Sequence, residues 1–383
     1  MAKELIVMLA GDIFISTPEV YPEIGHSAPI LTERADLYTW LEGVAPVLQQ
    51  GDFTLGNLEG PICERGVGTG SNIYGDVNTE LRMPPEVADI LKRAGFSAVS
   101  VAGNITMNMG NEGIIHTVAN LDRVGVGHAG GGRNIVEARK PAIMERDGVK
   151  LALLSYSSIF QPGIAPAGEN KPGIATVAVS TAYHISPNIL YNPGVPPRII
   201  TTPNPKDVEA MWEDVRQARA QADVVVVSWH WGATKYANSY AFGIPVEDAP
   251  FYVLGYQEEM GRAAIDAGAD LIMGHHPHRL QGMELYKGKL ICYGLCNLTM
   301  SFFEGPNFGV ESVIVKGCID AESKKLTRFT IIPLIIPSDT MEPHIVPVSE
   351  AGDVIAELAK QSKKYGTRFQ VEKGEITISS PSA

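Results

Sequence analysis

Cysteine is scarce in this 383-residue sequence: Cys63, Cys292, Cys296 and Cys318 are all there is. So few thiols over such a length exclude a disulfide framework as the source of stability. They do not make a zinc site either, because no second pair joins Cys292 and Cys296; both read as buried thiols near a strand end. Long hydrophobic runs are missing as well. None approaches the ~20 residues of a membrane-spanning helix. The start, "MAKELIVMLAGD", holds too few apolar residues before Gly11 and Asp12 for a signal-peptide core. Nor is there a Lys/Arg-rich run, and the formal net charge is −12. Nucleic acid and anionic membranes call for a basic patch, so neither is an expected partner. Together these absences predict a soluble, cytoplasmic protein.

What is present is ordinary in amount, 45% apolar and 19% charged, and sufficient at this length for a large core. The apolar residues come in short runs: "LIVMLAGD", "FSAVSVAGN", "KLALLSYSS", "DVVVVSWHWG", "DLIMGHHPH" and "LICYGLCN". Such runs, bounded by Gly, Asn and Ser, read as strands. Between them, "PPEVADILKRAG" opens with proline at a first helical turn and closes on a glycine cap. "NPKDVEAMWEDVRQARAQA" sets Val208, Met211, Trp212 and Val215 along one helical face. Alternating strand and helix predicts an α/β fold with at least partly parallel sheets. "GMELYKGKLICYG" and "ESVIVKGCIDAESKKLTRFTIIPLII" predict antiparallel pairs beside them. Residues 160–205, crowded with Pro, Gly and Asn, are expected to form a lid-like insertion within a domain spanning 1–335. Residues 336–383, a helix and a hairpin, are expected to pack on that core as a C-terminal appendage.

The informative pattern is where the strands end. Five runs finish in a metal-ligating residue: Asp12 in "AGD", Glu59 in "GNLEG", Asn104 in "AGN", His230 in "SWHWG", and His276 and His278 in "GHHPH". Ligands of open α/β sheets bind beyond the carboxyl ends of strands, so groups remote in sequence can meet in one crevice. Carboxylates, an amide oxygen and imidazoles together suit one or two divalent ions such as Mn, Fe or Zn. Each residue alone has a plainer explanation: Asp12 and Glu59 as helix caps, Asn104 in a turn, His230 half-buried beside Trp231. Five strand ends behaving alike are harder to explain as caps. Of the remaining histidines, His26 and His184 are candidates to visit the crevice.

"GDIF", "GNLEGPI", "GHAGGGRNIVEARKPAIMERDGVKLALLSYS", "HWG" and "GHHPHRLQGMELYKGKLICYGLCN", in that order, resemble the CapA family of capsule-biosynthesis, or poly-γ-glutamate synthesis, proteins. The resemblance covers about residues 5–320. It implies a calcineurin-like metallophosphatase fold, a β-sandwich flanked by helices in four αββα layers, with a dinuclear site at one sheet edge. By motif, Asp12 and His278 would hold one metal, and Asn104, His230 and His276 the other. Glu59 would take the place of the bridging carboxylate. The third motif departs from the family's "ANNHxxDxG": here "AGNITMNMG" keeps Asn104 but has Ile105 for the histidine and Asn108 for the aspartate. That histidine polarises phosphate and protonates the leaving group in calcineurin-like phosphatases, and isoleucine can do neither. Phe14 likewise stands where some phosphatases have a ligand. "YGLCN" replaces "YSLGN", with Cys296 expected to pack rather than react.

These residues predict a metal-dependent hydrolase that activates water against a carbonyl substrate, whether amide, lactam, imide or lactone, on a small molecule or short peptide. His275 and Glu59 are the candidate proton carriers. Arg279 is expected to grip a substrate carboxylate, with Lys235, Tyr236 and Asn297 lining the same pocket. Two alternatives use the same chain differently. One is acid/base epimerisation or elimination at a carbon α to a metal-polarised carbonyl. The other is a non-catalytic role in poly-γ-glutamate or capsule synthesis. Homo-oligomerisation is left open.

Overall fold

The computed structural model describes residues 3–16, 36–64, 66–67, 81–192, 194–242, 251–301, 311–337 and 340–380. Within them the apolar runs become two large sheets. The first opens with β1 (Glu4–Phe14), β2 (Phe53–Leu58), β3 (Ala98–Ser100) and β4 (Gly127–Ala129), adjacent and parallel in that order. The second is built from β5 (Ala142–Arg146), β6 (Val149–Ser157), β7 (Val224–His230), β8 (Leu271–His275), β9 (Met283–Tyr286) and β10 (Lys289–Cys292). Here β6, β7, β8 and β10 run parallel, with β5 and β9 antiparallel at the two edges. The chain then returns to the first sheet. β11 (Asn297–Met300) lies parallel to the end of β1, and β12 (Glu311–Asp320), paired with β13 (Lys325–Ile335), runs antiparallel to its start along the same edge, away from β2. β14 (Arg368–Glu372) and β15 (Glu375–Ser379) extend that edge, so residues 368–379 are strands of the main sheet.

The two-residue period of the strands sorts the apolar residues into separate cores. Leu5, Val7 and Leu9 of β1 share a core with Leu151, Leu153, Val224, Val226 and Leu271 of the second sheet. Met8 and Ala10, one residue out of phase, pack instead with helices α1 (Glu86–Ala94) and α2 (Gly110–Val124). Beyond the second sheet, Leu154, Val225, Val227 and Ile272 pack with α3 (Pro205–Arg219) and α4 (Gly255–Ala267). The layers therefore run helix, sheet, sheet, helix, as the motifs imply. A register slip of one residue would exchange two cores, each buried Val or Leu being worth roughly 1.5–3 kcal/mol.

Helix α1 ends on Gly95 at φ 100°, the expected glycine cap. In α3, Met211 and Val215 are buried, but Trp212 lies at the rim and is 36% exposed. Residues 160–178 are stitched to the body, with Ala165, Ile174, Ala175 and Val177 buried. Lys171 Nζ there donates to the carbonyls of Gly163, Ile164 and Pro166. Val179–His184 and Arg198–Pro203 pair only with each other, as a two-stranded ribbon exposed along most of both strands and resting on α4 through the second of them. Helix α5 (Gly352–Ser362) turns Val354 and Leu358 into the core between the sheets. No helix among the described residues is long and apolar enough to cross a membrane.

Candidate metal centre

Parallel strands of both sheets deliver their carboxyl ends to one crevice. Asp12 sits near the end of β1, where the pairing register shifts, a local irregularity that re-aims side chains. Its backbone N–H donates to Cys296 O at 3.0 Å. The preceding Gly11 has no room for a side chain, since a Cβ there would stand 2.2 Å from the same Cys296 oxygen. Close backbone packing of "AGD" on "LCN" thus positions the carboxylate.

Around Asp12 the contacts are dense. Oδ1 accepts from Asn57 Nδ2 at 2.9 Å and lies 3.0 Å from His275 Nδ1. Oδ2 accepts from the His276 backbone N–H at 3.2 Å and lies 3.5 Å from His278 Nδ1. Glu59, one residue past β2, places Oε2 3.7 Å from His230 Nδ1 and Oε1 3.8 Å from His278 Nε2. Glu59, His230 and His276 each bring one donor atom within 4.8 Å of the others. The rings of His230 and His276 are 4.9 Å apart, and those of His276 and His278 6.1 Å. Two amides fix two of the rings. Asn104 Oδ1 is 3.0 Å from His230 Nε2, and Asn297 Oδ1 is 2.8 Å from His278 Nδ1. Such carbonyl partners set the tautomer and turn the other ring nitrogen towards the centre.

Backbone strain concentrates here. His276 has φ 91°, His278 φ 52° and Cys296 φ 64°. Non-glycine residues in that region cost of order 1–3 kcal/mol each and persist where their surroundings impose them.

Burial governs the ionisation. Asp12, Glu59 and His275 are fully buried, and His276, the most open of the histidines here, is 9% exposed. Burial alone would raise the Asp12 pKa. Its hydrogen bond to His275 and the fields of His275, His278 and His230 outweigh that and hold it below the ordinary carboxylate range. Glu59 has no such partner, so burial and the charge of Asp12 push it well above its usual value. Burial, then the field of His278, lowers His276 to about 3. Burial lowers His230 and His278 in the same direction. At neutral pH the imidazoles therefore keep free lone pairs. Burial likewise raises the Cys296 thiol to about 12, so it stays protonated and packs.

The donor set fits a divalent cation. His230 Nδ1, His276 Nδ1, Glu59 Oε1 and Asn57 Oδ1 are buried with no hydrogen-bond partner among the described residues. Buried polar atoms are rarely left so, and an ion explains several at once. Asp12, Glu59, Asn104, His230, His276 and His278, read from the sequence as metal donors, are thus brought together. His275 joins them but is committed to Asp12 and shielded from solvent. Asn297 holds His278 instead of facing a pocket. Arg279 and Lys235 line a cavity of about 550 Å³ that also includes Phe251, Asp353 and Lys360 and none of the metal donors. Tyr236 belongs to the short helix Lys235–Phe242, but its side chain lies outside the described residues. His26 lies outside them altogether, and His184 is exposed on the ribbon. Asn57 was not singled out from the sequence. Its signal is the "NLE" spacing, which on an extended chain puts Asn57 and Glu59 on one side, and Asn57 Nδ2 lies within 3.4 Å of Glu59 Oε2.

The sequence model of the family described as "Bacterial capsule synthesis protein PGA_cap" matches residues 6–301. The chain is similar to the PGA biosynthesis protein CapA of Bacillus subtilis, 26% identical over 358 residues, 93% of this chain and 79% of the relative. It is similar to the capsule biosynthesis protein CapA of Bacillus anthracis, 27% identical over 365 residues, 94% of this chain and 74% of that one. A probable polyglutamine synthesis accessory protein of Mycobacterium tuberculosis is 23% identical over 228 residues, covering 58% of this chain and 50% of the relative. Among solved structures, a phosphatase of Mycoplasma pneumoniae superposes with TM-score 0.42 at 11% identity, over 88% of this chain and 95% of the other.

Proposed function

The chain belongs to the bacterial capsule synthesis protein family PGA_cap, and from that premise we propose that it is a divalent-metal-dependent hydrolase of a carbonyl substrate. The observation that carries this reading is the convergence of Asp12, Glu59, His230, His276 and His278 from four strand ends on one buried crevice with orphaned nitrogen and oxygen atoms. Glu59, His230 and His276 would hold one cation of the Mn, Fe or Zn kind, and Asp12 and His278 would hold a second beside it. A bound cation supplies Lewis acidity, polarising an acyl oxygen and making water nucleophilic near neutral pH.

The chain's own residues do the rest. Asn57 and His275 clamp Asp12, Asn104 orients His230, and Asn297 orients His278. Such a supporting shell keeps reacting groups in place, so that little reorganisation accompanies reaction. Ile105, 3% exposed, puts hydrocarbon where the phosphatases of the resembling fold carry a proton-donating histidine. That favours acyl over phosphoryl transfer. Glu59, with its raised pKa, is the carboxyl best able to carry a proton at Oε1.

The names of the relatives point to a glutamate polymer, an amide-linked and carboxylated substrate. We assign Arg279 and Lys235 to such carboxylates, from a cavity of ordinary ligand size that also carries Lys360, Glu311, Asp353 and Glu357. The test is to load the purified chain with each metal and assay amides, including γ-glutamyl peptides, lactones and phosphomonoesters. Metal-dependent acyl turnover, lost in His276→Ala, is expected; strong phosphomonoesterase activity with every carbonyl substrate inert overturns the reading. The relatives' names also favour a second one, an assembly role without turnover. Capsule or polymer synthesis that survives Asp12→Asn and His230→Ala would select it.

A further inference from the structure

The ribbon of residues 179–203 is built the wrong way round for a segment facing water. Tyr183 is 64% exposed, Ile185 63%, Tyr191 81%, Ile199 44% and Ile200 41%. A two-stranded ribbon alone is marginal in water, and a contiguous apolar surface marks a contact site. The arm also differs in charge from the body. No carboxylate lies between Glu169 and Asp207, although the chain carries 43 acidic residues against 31 basic ones.

A second surface also leaves apolar side chains exposed, beside charged ones. Between the short helix Ile135–Ala138, the start of β5 and α3 lies a groove of about 480 Å³, lined in part by Val136, Pro141, Ile143 and Glu213. Val136 is 76% exposed there and Ile143 43%.

We propose that the 179–203 arm of one copy of this chain docks into this groove on a second copy, and that the second arm returns the contact about a twofold axis. Within one chain the side chains that would meet are largely exposed, Tyr183 on the arm and Val136 in the groove. Tyr183 and Ile199, directly opposite each other in the ribbon, supply the apolar wedge, and Val136, Pro141 and Ile143 supply the apolar part of a groove that also carries Arg139, Lys140 and Asp214. Arg198 brings a second cation towards Glu213, which already pairs with the exposed Arg216. Because the arm has no carboxylate, it is the part of the molecule that a second copy of net charge −12 repels least. The arm's length of about 25 residues matches the roughly 20–30 that a standard interface takes from each side. Reciprocity closes the assembly, whereas a single arm-to-groove contact would run on as a filament.

Sedimentation velocity on the full chain tests this. A dimer is expected, and Tyr183→Ser combined with Ile199→Ser raises its dissociation constant at least about tenfold. Val136→Asp should do the same while circular dichroism and metal content stay as in the parent. Mixing Ile199→Cys copies with Val136→Cys copies under oxidation should give a covalent pair that neither gives alone, since the native cysteines are all buried. A chain that is monomeric at every concentration overturns the proposal. So does a dimer indifferent to all three substitutions, or a mixture that yields no cross-linked pair.

Discussion

The metal crevice and the arm break the same rule in opposite directions. At the crevice, Asp12, Glu59 and His275 are shut away from water together with unpartnered donor atoms. On the arm, Tyr183, Ile185 and Tyr191 are mostly open to water. Leaving a buried polar atom unpaired costs about 1–3 kcal/mol, and each large side chain left exposed forgoes roughly 1.5–3 kcal/mol of burial. A single chain offsets neither deviation. The two differ in what would: a small cation for the crevice, a protein surface for the arm. Unusual burial thus says that an occupant is needed, and its sign says which chemistry that occupant has.

The comparison is broken most decisively at the crevice. His230→Ala or His276→Ala removes an imidazole from the set whose donor atoms lie within 4.8 Å of one another. Metal content after purification, measured by elemental analysis, should fall to background, and activity with it. A ligand at about 1,000 times its Kd stabilises by about 4.1 kcal/mol. Added metal should therefore raise the Tm of the parent by several degrees and leave that of either variant unmoved. Full metal content in both variants would empty the crevice of its assigned role.

Asn57→Ala probes the support beneath the ligands. The amide binds Asp12 Oδ1 at 2.9 Å and reaches Glu59 Oε2 at 3.4 Å, so its loss frees two carboxylates without removing either. Partners of this kind typically carry 10–100-fold in metal affinity. Calorimetric titration of the stripped protein should find a loss in that range, with Asn57→Gln recovering part of it. An unchanged affinity would make Asn57 a filler.

What could be read beforehand follows from the distances over which each signal acts. Strand alternation and strand-end residues are local, so an α/β fold and the six candidate donors were visible in runs such as "LIVMLAGD" and "GHHPH", while the αββα layering came from the family resemblance. The divisions of labour were not. Asn104 and Asn297 hold histidines 126 and 19 residues away respectively, and no spacing rule encodes such pairings. Arg279 follows His278 immediately, yet opens onto a cavity shared with α5, because the left-handed turn at 276–278 redirects the chain. The arm's exposure was equally hidden: Pro, Gly and Asn mark residues 160–205 as a lid-like insertion, but only the pairing shows that Val179–His184 and Arg198–Pro203 join each other and neither large sheet.

A pH series sharpens the crevice half of the comparison. His276 falls to about 3 in the folded state, against roughly 6.5 when unfolded. The unfolded chain therefore binds more protons between those values, so stability is fully present above about 6.5 and is lost as the pH falls towards 3. Asp12, also lowered, adds stability that disappears at still lower pH. Glu59 is raised, so its ionisation works the other way and destabilises the metal-free fold as pH rises. A cation removes that last penalty by displacing the proton. The rise in Tm on adding metal should thus be greater at pH 8 than at pH 6, while the metal-free Tm declines on acidification. A metal-induced rise independent of pH would mean that no proton leaves Glu59.

The smallest effect is expected on the arm, and its smallness is the point. In the isolated chain Tyr183 touches mostly water, so Tyr183→Ser should change stability by no more than about 0.5 kcal/mol, as at other exposed positions. Leu9→Ala, in the core between the sheets, should cost about 2–5 kcal/mol. A partner changes this only by mass action: if the arm is covered by a second copy, the Tm of the parent rises with protein concentration. Scanning calorimetry over a concentration series then separates the two states of Tyr183. Parent and variant should coincide when dilute and diverge when concentrated, the variant staying flat. Divergence already at the lowest concentration would place Tyr183 against its own chain, and the contrast between a buried polar site and an exposed apolar one would lose its second half.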